Sequence, residues 1–173
     1  MSLMSFLRNL FRPENTASMP AFDSEPGPED PISARQVELV QSTWQSVEPI
    51  SSQAATLFYN KLFEIDPSVQ ALFVNVDIEE QKRKLMQMID VAVKGLNRLE
   101  TIVPAVEALG VRHHVDYGVQ NSQYDTVGAA LLWTLEQGLG EAFTPEVKEA
   151  WTVTYTVLAD TMKSASASAA PVR

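Results

Sequence analysis

From Ile32 to Lys163 the apolar residues recur every three to four positions, and no stretch alternates cleanly with period two. A strand sends successive side chains to opposite faces, whereas a helix stacks positions three and four apart, so this spacing predicts an all-α body of six or seven helices. The ends are written in the sequence too. Ser33 is placed to cap a first helix, with Gln36 reaching back and Ile32 stapling onto Val37. Val37, Val40, Trp44 and Val47 form its stripe, and Pro49 breaks it. A second helix is expected over 51–65, with Phe58, Leu62 and Ile65 on one face. Asp66-Pro67 ends it and opens a turn through Val69, Leu72 and Phe73. Asp77, with Glu80 three residues on, begins a helix whose inner face is Leu85, Met88, Ile89, Ala92 and Leu96. Pro104 sits near the start of a short segment that Gly118 closes. A helix over 122–139 carries Tyr124, Val127, Leu131, Leu135 and Leu139 in phase and stops at Gly140. The last opens at Pro145, where a missing N–H costs little, and carries Val147, Trp151, Thr154 and Leu158.

Both ends lie outside this body, which spans about 32–163. Residues 13–31 hold five of the ten prolines with Ser, Asp, Glu and Gly between them, the composition of a linker rather than a core. Residues 164–173, SASASAAPVR, are expected to be a disordered tail. Leu3, Phe6, Leu7, Leu10 and Phe11 fall on one helical face, that of a small membrane-surface helix or of a tail that docks on the domain. No run of 18 apolar residues is present, so no transmembrane helix is expected, and the N-terminus lacks a secretory pattern. The net charge of −9 argues against nucleic acid as a partner, because nothing would neutralise phosphates over a broad face. Zero cysteines exclude disulfides, iron–sulfur clusters and thiolate zinc, and suit a cytoplasmic home.

The chemistry-bearing residues are few. The only two histidines are adjacent, in "VRHHVDYGV". There is no phosphate-binding glycine loop, no H-E-x-x-H and no G-x-S-x-G, and a di-iron bundle would want two E-x-x-H pairs on long helices. An all-α chain with one usable histidine and much apolar, aromatic lining is sufficient for a haem iron, since the macrocycle itself supplies four ligands. Helical geometry alone does not choose between the histidines: His114 continues the row Val106–Gly110, His113 the row of Leu109, and both rows can face inward.

The segments "LFYNKLFEIDPSVQALF", "RKLMQMIDVAV", "ALGVRHHVDYGV" and "LEQGLGEAFTPEVKEAWTVTY" come in an order and spacing that resemble the globin family over about 33–163. The nearest resemblance within it is to single-domain bacterial globins, neuroglobins and the haem domains of flavohaemoglobins. It implies a globin fold of about six to eight helices around a b-type haem. It also implies that His114 is the metal ligand, because Tyr117-Gly118-Val119 follows it at the family's spacing, and that His113 lies at the surface or at a haem propionate. By the same resemblance Phe73 packs on the haem plane, Tyr59 is a distal hydrogen-bond donor, and Gln81 stands in the distal histidine's place with Leu85 as apolar wall. Val119 belongs to the cofactor-binding set, and Tyr124 matches a tyrosine that polarises the proximal histidine. The glutamate that works with that tyrosine in flavohaemoglobins is missing; its place falls near Ser166.

With no histidine outside 113–114, two histidines cannot clasp the iron from opposite sides. Lys84 and Tyr59 remain as unusual sixth ligands. A gas held by two donors, each worth about 1.5 kcal/mol, would leave roughly 10²-fold more slowly. That suits O₂ held for a second substrate, and the implied class is NO dioxygenase served by a separate reductase. The alternatives are a gas sensor acting through a partner, and a haem-free globin-shaped interaction protein.

Overall fold

The computed structural model describes residues 30–169. The apolar face over residues 3–12 and nearly all of the proline-rich stretch lie outside them. Six α-helices are described: α1 (Ala34–Val47), α2 (Ser51–Ile65), α3 (Ile78–Lys94), α4 (Leu99–Val115), α5 (Asn121–Leu139) and α6 (Pro145–Ala169). Short 3-10 turns at Glu48–Ile50, Pro67–Phe73, Leu96–Arg98 and Gly140–Ala142 join them.

The helix starts follow the expected chemistry. Ser33 accepts from the Gln36 N–H while Gln36 Oε1 accepts from the Ser33 N–H, closing the capping box. Ile32 and Val37 are both buried in one cluster, as a staple requires. Asp77 caps α3 through the Glu79 and Glu80 N–H groups, but Glu80 turns away to pair with Lys84. At the far ends, Gly118 and Gly140 both adopt positive φ (65° and 55°), which L-residues rarely take.

Two expectations about boundaries need correcting. Helix α4 begins at Leu99, five residues before Pro104, which sits inside it. Proline's fixed φ suits a helix, but its ring removes the hydrogen bond to the Glu100 carbonyl and crowds that oxygen, both on an exposed face near the helix start. Helix α6 runs to Ala169, through the segment expected to be disordered. Alanine favours helix, and the serine hydroxyls bond back to main-chain carbonyls, Ser166 to Lys163 and Ser168 to Ser164.

The core falls into two clusters bridged by Leu85 and Leu131. In the first, Trp44 and Trp151 pack at 6.3 Å between ring centres, and each indole N–H finds an acceptor, Asp90 Oδ1 and Thr43 Oγ1, both at 2.9 Å. The second holds Phe58, Tyr59, Leu62, Val69 and Ala130, with Phe63 and Phe73 against it. Ile65, expected on the inner face of α2, is instead exposed at its end.

Packing is uneven between neighbours. Helix α3 lies against α2 and α1, and α4 against α6, while α3 and α4 barely touch. At the α4–α6 crossing a Cβ on Gly110 would come within 2.4 Å of the Met162 carbonyl oxygen, so only glycine lets the two backbones approach this closely. This glycine looks like an ordinary helix-interior residue in sequence; a glycine in a helical run with no turn residues beside it is the one signal that marks such a contact.

Candidate haem site

The predicted inner face of α3 is not fully inside. Leu85, Met88, Ile89 and Ala92 are half-buried, and the fully buried residues of this helix are Met86 and Val93. Helix α4 repeats the pattern: Leu109 is half-buried one turn before the histidines, Val103 and Val106 are half-buried along a groove shared with α6, and only Ile102 and Gly110 are buried. Because α3 and α4 barely touch, Met88 and Ala92 on the one and Leu109 on the other stay partly open, and a flat apolar group would cover such surface.

Tyr59 projects from α2 and is 6% exposed. Its ring meets Phe58 and Phe73 edge-on at 5.2 and 5.5 Å, and Phe63 closes the group at 5.6 Å from Phe73. Phe73 ends the Pro67–Phe73 turn, which brings it to the helix carrying Tyr59. The Tyr59 hydroxyl reaches toward α3, 3.5 Å from the Gln81 carbonyl oxygen. That is too long for a good O–H···O bond, whose usual span is about 2.5–3.0 Å. Burial pushes this phenol up to about 12, so the proton stays on the oxygen as a donor. Gln81 and Leu85 are half-buried one turn apart, on one face of α3. Lys84 is held by Glu80 at 2.9 Å, one turn back on the same helix.

The two histidines differ in burial. His113 is half-buried, away from the open-surface alternative, with Nδ1 2.8 Å from the Leu109 carbonyl oxygen and its ring 6.0 Å from that of Tyr117. A carbonyl only accepts, so Nδ1 carries the proton and Nε2 keeps its lone pair. Burial lowers the affinity of this imidazole for a second proton, with the Arg112 charge acting the same way and the Leu109 carbonyl opposing both. His114 is exposed. The main chain ties both together: the Gly118 N–H donates to the His114 carbonyl at 3.2 Å and the Val119 N–H to the His113 carbonyl at 2.9 Å. The first of these is the single bond of a left-handed glycine cap, so Gly118 fixes where the helix stops beyond the histidines. Val119 is half-buried at the foot of this turn.

Tyr124, on α5, is buried, and its hydroxyl has no hydrogen-bond partner. Lys163 lies over its ring at 5.7 Å, and burial raises its ionisation above the ordinary phenol range. Ser166, where a glutamate was expected to be missing, is buried and bonded to its own helix. The structure brings Tyr59, Phe73, Gln81 and Leu85 into one neighbourhood, and His113, His114 and Val119 into another at the end of α4. Cavities of about 460 and 320 Å³ lie on a different face, and none of these residues lines them.

Such a bundle, with half-covered apolar stripes, a buried donor and paired histidines at a helix end, defines an all-helical domain built to hold an apolar group. A family model described as Globin matches residues 56–162, and the chain belongs to the globin family. It is similar to neuroglobin from Danio rerio, 28% identical over 144 residues that cover 76% of this chain and 90% of that protein. Neuroglobin from Tetraodon nigroviridis gives the same identity and coverage. The fold is also that of a hexacoordinated heme protein from an anhydrobiotic tardigrade at pH 4, with a TM-score of 0.72 at 18% identity over 83% of this chain and 99% of that one. Both neuroglobins are vertebrate proteins.

Proposed function

We propose that this globin holds a b-type haem between α3 and the histidine-bearing end of α4, with the His114 imidazole as its protein ligand, and binds O₂ and other diatomic gases with high O₂ affinity. The observation that carries this is the Tyr59 hydroxyl: buried, protonated, without a short hydrogen bond, and aimed at the helix that carries Gln81 and Leu85. A bond this long contributes little, and a ligand acceptor in line with the hydroxyl would add a short one worth about 0.5–1.5 kcal/mol. The haem, when bound, supplies the iron to which a gas attaches. The chain's own residues do the rest. Phe73 and Leu85 keep water away, Tyr59 and the Gln81 amide offer hydrogen bonds to a polarised ligand, and Val119 closes the foot of α4. Tyr124 stands on the neighbouring helix with an unsatisfied hydroxyl that can steer the proximal imidazole.

The choice of His114 rests on the globin resemblance, in which Tyr117-Gly118-Val119 follows the ligand at the family's spacing. One observation favours His113 instead: its Nδ1 is already fixed to a backbone carbonyl, which is how a ligating imidazole is usually oriented. The tardigrade protein is described as hexacoordinated. Here the only two histidines are neighbours on one helix, so a second imidazole cannot come from the distal side.

Tight O₂ binding suits NO dioxygenation in the cytoplasm, with electrons from a separate reductase. The test is to add NO to the reduced, air-equilibrated protein and measure nitrate. Nitrate in one-to-one yield with haem oxidation supports the activity, and nitrite or unconsumed NO rules it out.

A further inference from the structure

The two cavities on the other face share Asp30, Leu99 and Glu100, so they form one continuous groove. Its floor is apolar and half-buried, with Val103 and Val106 from α4 and Val157 and Leu158 from α6. Its rim is acidic: Asp30, Glu38 and Glu100 line it, and no Lys, Arg or His does. The described chain starts at this groove, since Asp30 lines both cavities and Pro31 one of them.

The sequence before Asp30 contains a matching face. Leu3, Phe6, Leu7, Leu10 and Phe11 stand at i, i+3, i+4, i+7 and i+8, and residues 1–12 carry Arg8 and Arg12 with no Asp or Glu. Apolar face meets apolar floor, and two cations meet three carboxylates. Residues 13–29 intervene; those 17 residues span at most about 60 Å when extended, so reach is not limiting. Tethering this short gives an effective concentration on the order of 1 mM, at which even a weak contact is substantially occupied.

We propose that residues 3–12 of this chain dock in its own groove between α4 and α6, with Phe6, Leu7 and Leu10 on the Val103–Val157 floor and Arg8 and Arg12 at the Asp30–Glu100 rim. Docking there braces the outer side of the helix that carries both histidines. It does not depend on haem being bound.

The protein has no cysteine, so disulfide trapping in the full chain is free of background. Leu7→Cys is paired with Thr161→Cys in the groove, and separately with Gln70→Cys, an exposed position away from it. The expected result is a disulfide within one chain, forming at least tenfold faster for the groove pair. Adding Phe6→Asp and Leu10→Asp should return the rate to that of the control pair. Those two changes lie outside the described fold, so their effect cannot come from unfolding the domain. Val103→Cys serves as a second groove position should Thr161→Cys lower the thermal midpoint. Equal rates for groove and control pairs overturn the proposal. So do disulfides that join two chains, which would make the occupant a second copy. Untrapped protein that co-sediments with phosphatidylglycerol vesicles through Phe6 and Leu10 overturns it in favour of a membrane surface.

Discussion

Removing the hydroxyl of Tyr59 separates a functional group from a structural one. The hydroxyl is buried and donates to the Gln81 carbonyl over a long 3.5 Å. Little hydrogen-bond energy is therefore present to lose. Tyr59→Phe keeps the ring and its edge-on contacts with Phe58 and Phe73. Urea unfolding of the haem-free protein should therefore show stability unchanged to within about 1 kcal/mol. With gas bound, the same change removes one donor worth about 1.5 kcal/mol, so stopped-flow O₂ dissociation should quicken about tenfold. Gln81→Leu should give a smaller acceleration, because a neutral amide on the edge of α3 competes with solvent. An unchanged O₂ dissociation rate in Tyr59→Phe would refute the distal role. A stability loss above about 2 kcal/mol would refute it differently, by showing that the hydroxyl holds the fold.

Three other outcomes are expected. Burial pushes Tyr59 up to about 12, against about 10 in an unfolded chain, so its contribution to stability is intact below pH 10 and is lost as pH rises toward 12. Two units correspond to about 2–3 kcal/mol at most, and pH-dependent urea titrations should show part of this alkaline loss vanish in Tyr59→Phe, the remainder belonging to Tyr124 and Tyr155. Gly110→Ala should destabilise by about 1–3 kcal/mol because its Cβ would meet the Met162 backbone, although alanine is the better helix former by about 1 kcal/mol; an increase in thermal midpoint would show that α4 and α6 can separate freely. Gly118→Ala meets nothing within 4 Å, so its cost of about 1–2 kcal/mol is conformational, and a Gly118→Asn variant should recover part of it in the same unfolding assay.

The parts of this molecule that were legible in sequence are those decided locally. The Ser33–Gln36 box, the Pro145 start and the two glycine stops depend on backbone groups a few residues apart, and each is where spacing placed it. The stripe of α1 was legible because all four of its apolar positions face the core, and all are buried. Helix α3 shows the limit. Periodicity identified Leu85, Met88, Ile89, Ala92 and Leu96 as a face but could not say what covers it; Leu96 is buried, and the protein leaves the other four half-covered. The start of α4 was hidden because a proline inside a helix and a proline at its start look alike without knowledge of what packs on the first turn, where Ile102 is buried. At the histidines, the globin resemblance singles out His114 by the Tyr117-Gly118-Val119 that follows it, while the local hydrogen bond to Leu109 depends on which way each ring turns and favours His113. Neither signal contains the other.

Haem titration of the His114→Ala and His113→Ala variants, followed by the ferrous and CO-bound Soret spectra, resolves this directly. The account predicts that the unmutated protein and His113→Ala give histidine-ligated spectra, and that His114→Ala loses them and regains them when free imidazole is added. Histidine-ligated spectra in His114→Ala with their loss in His113→Ala would move the ligand by one residue, and no Soret band from the unmutated protein would contradict haem binding altogether.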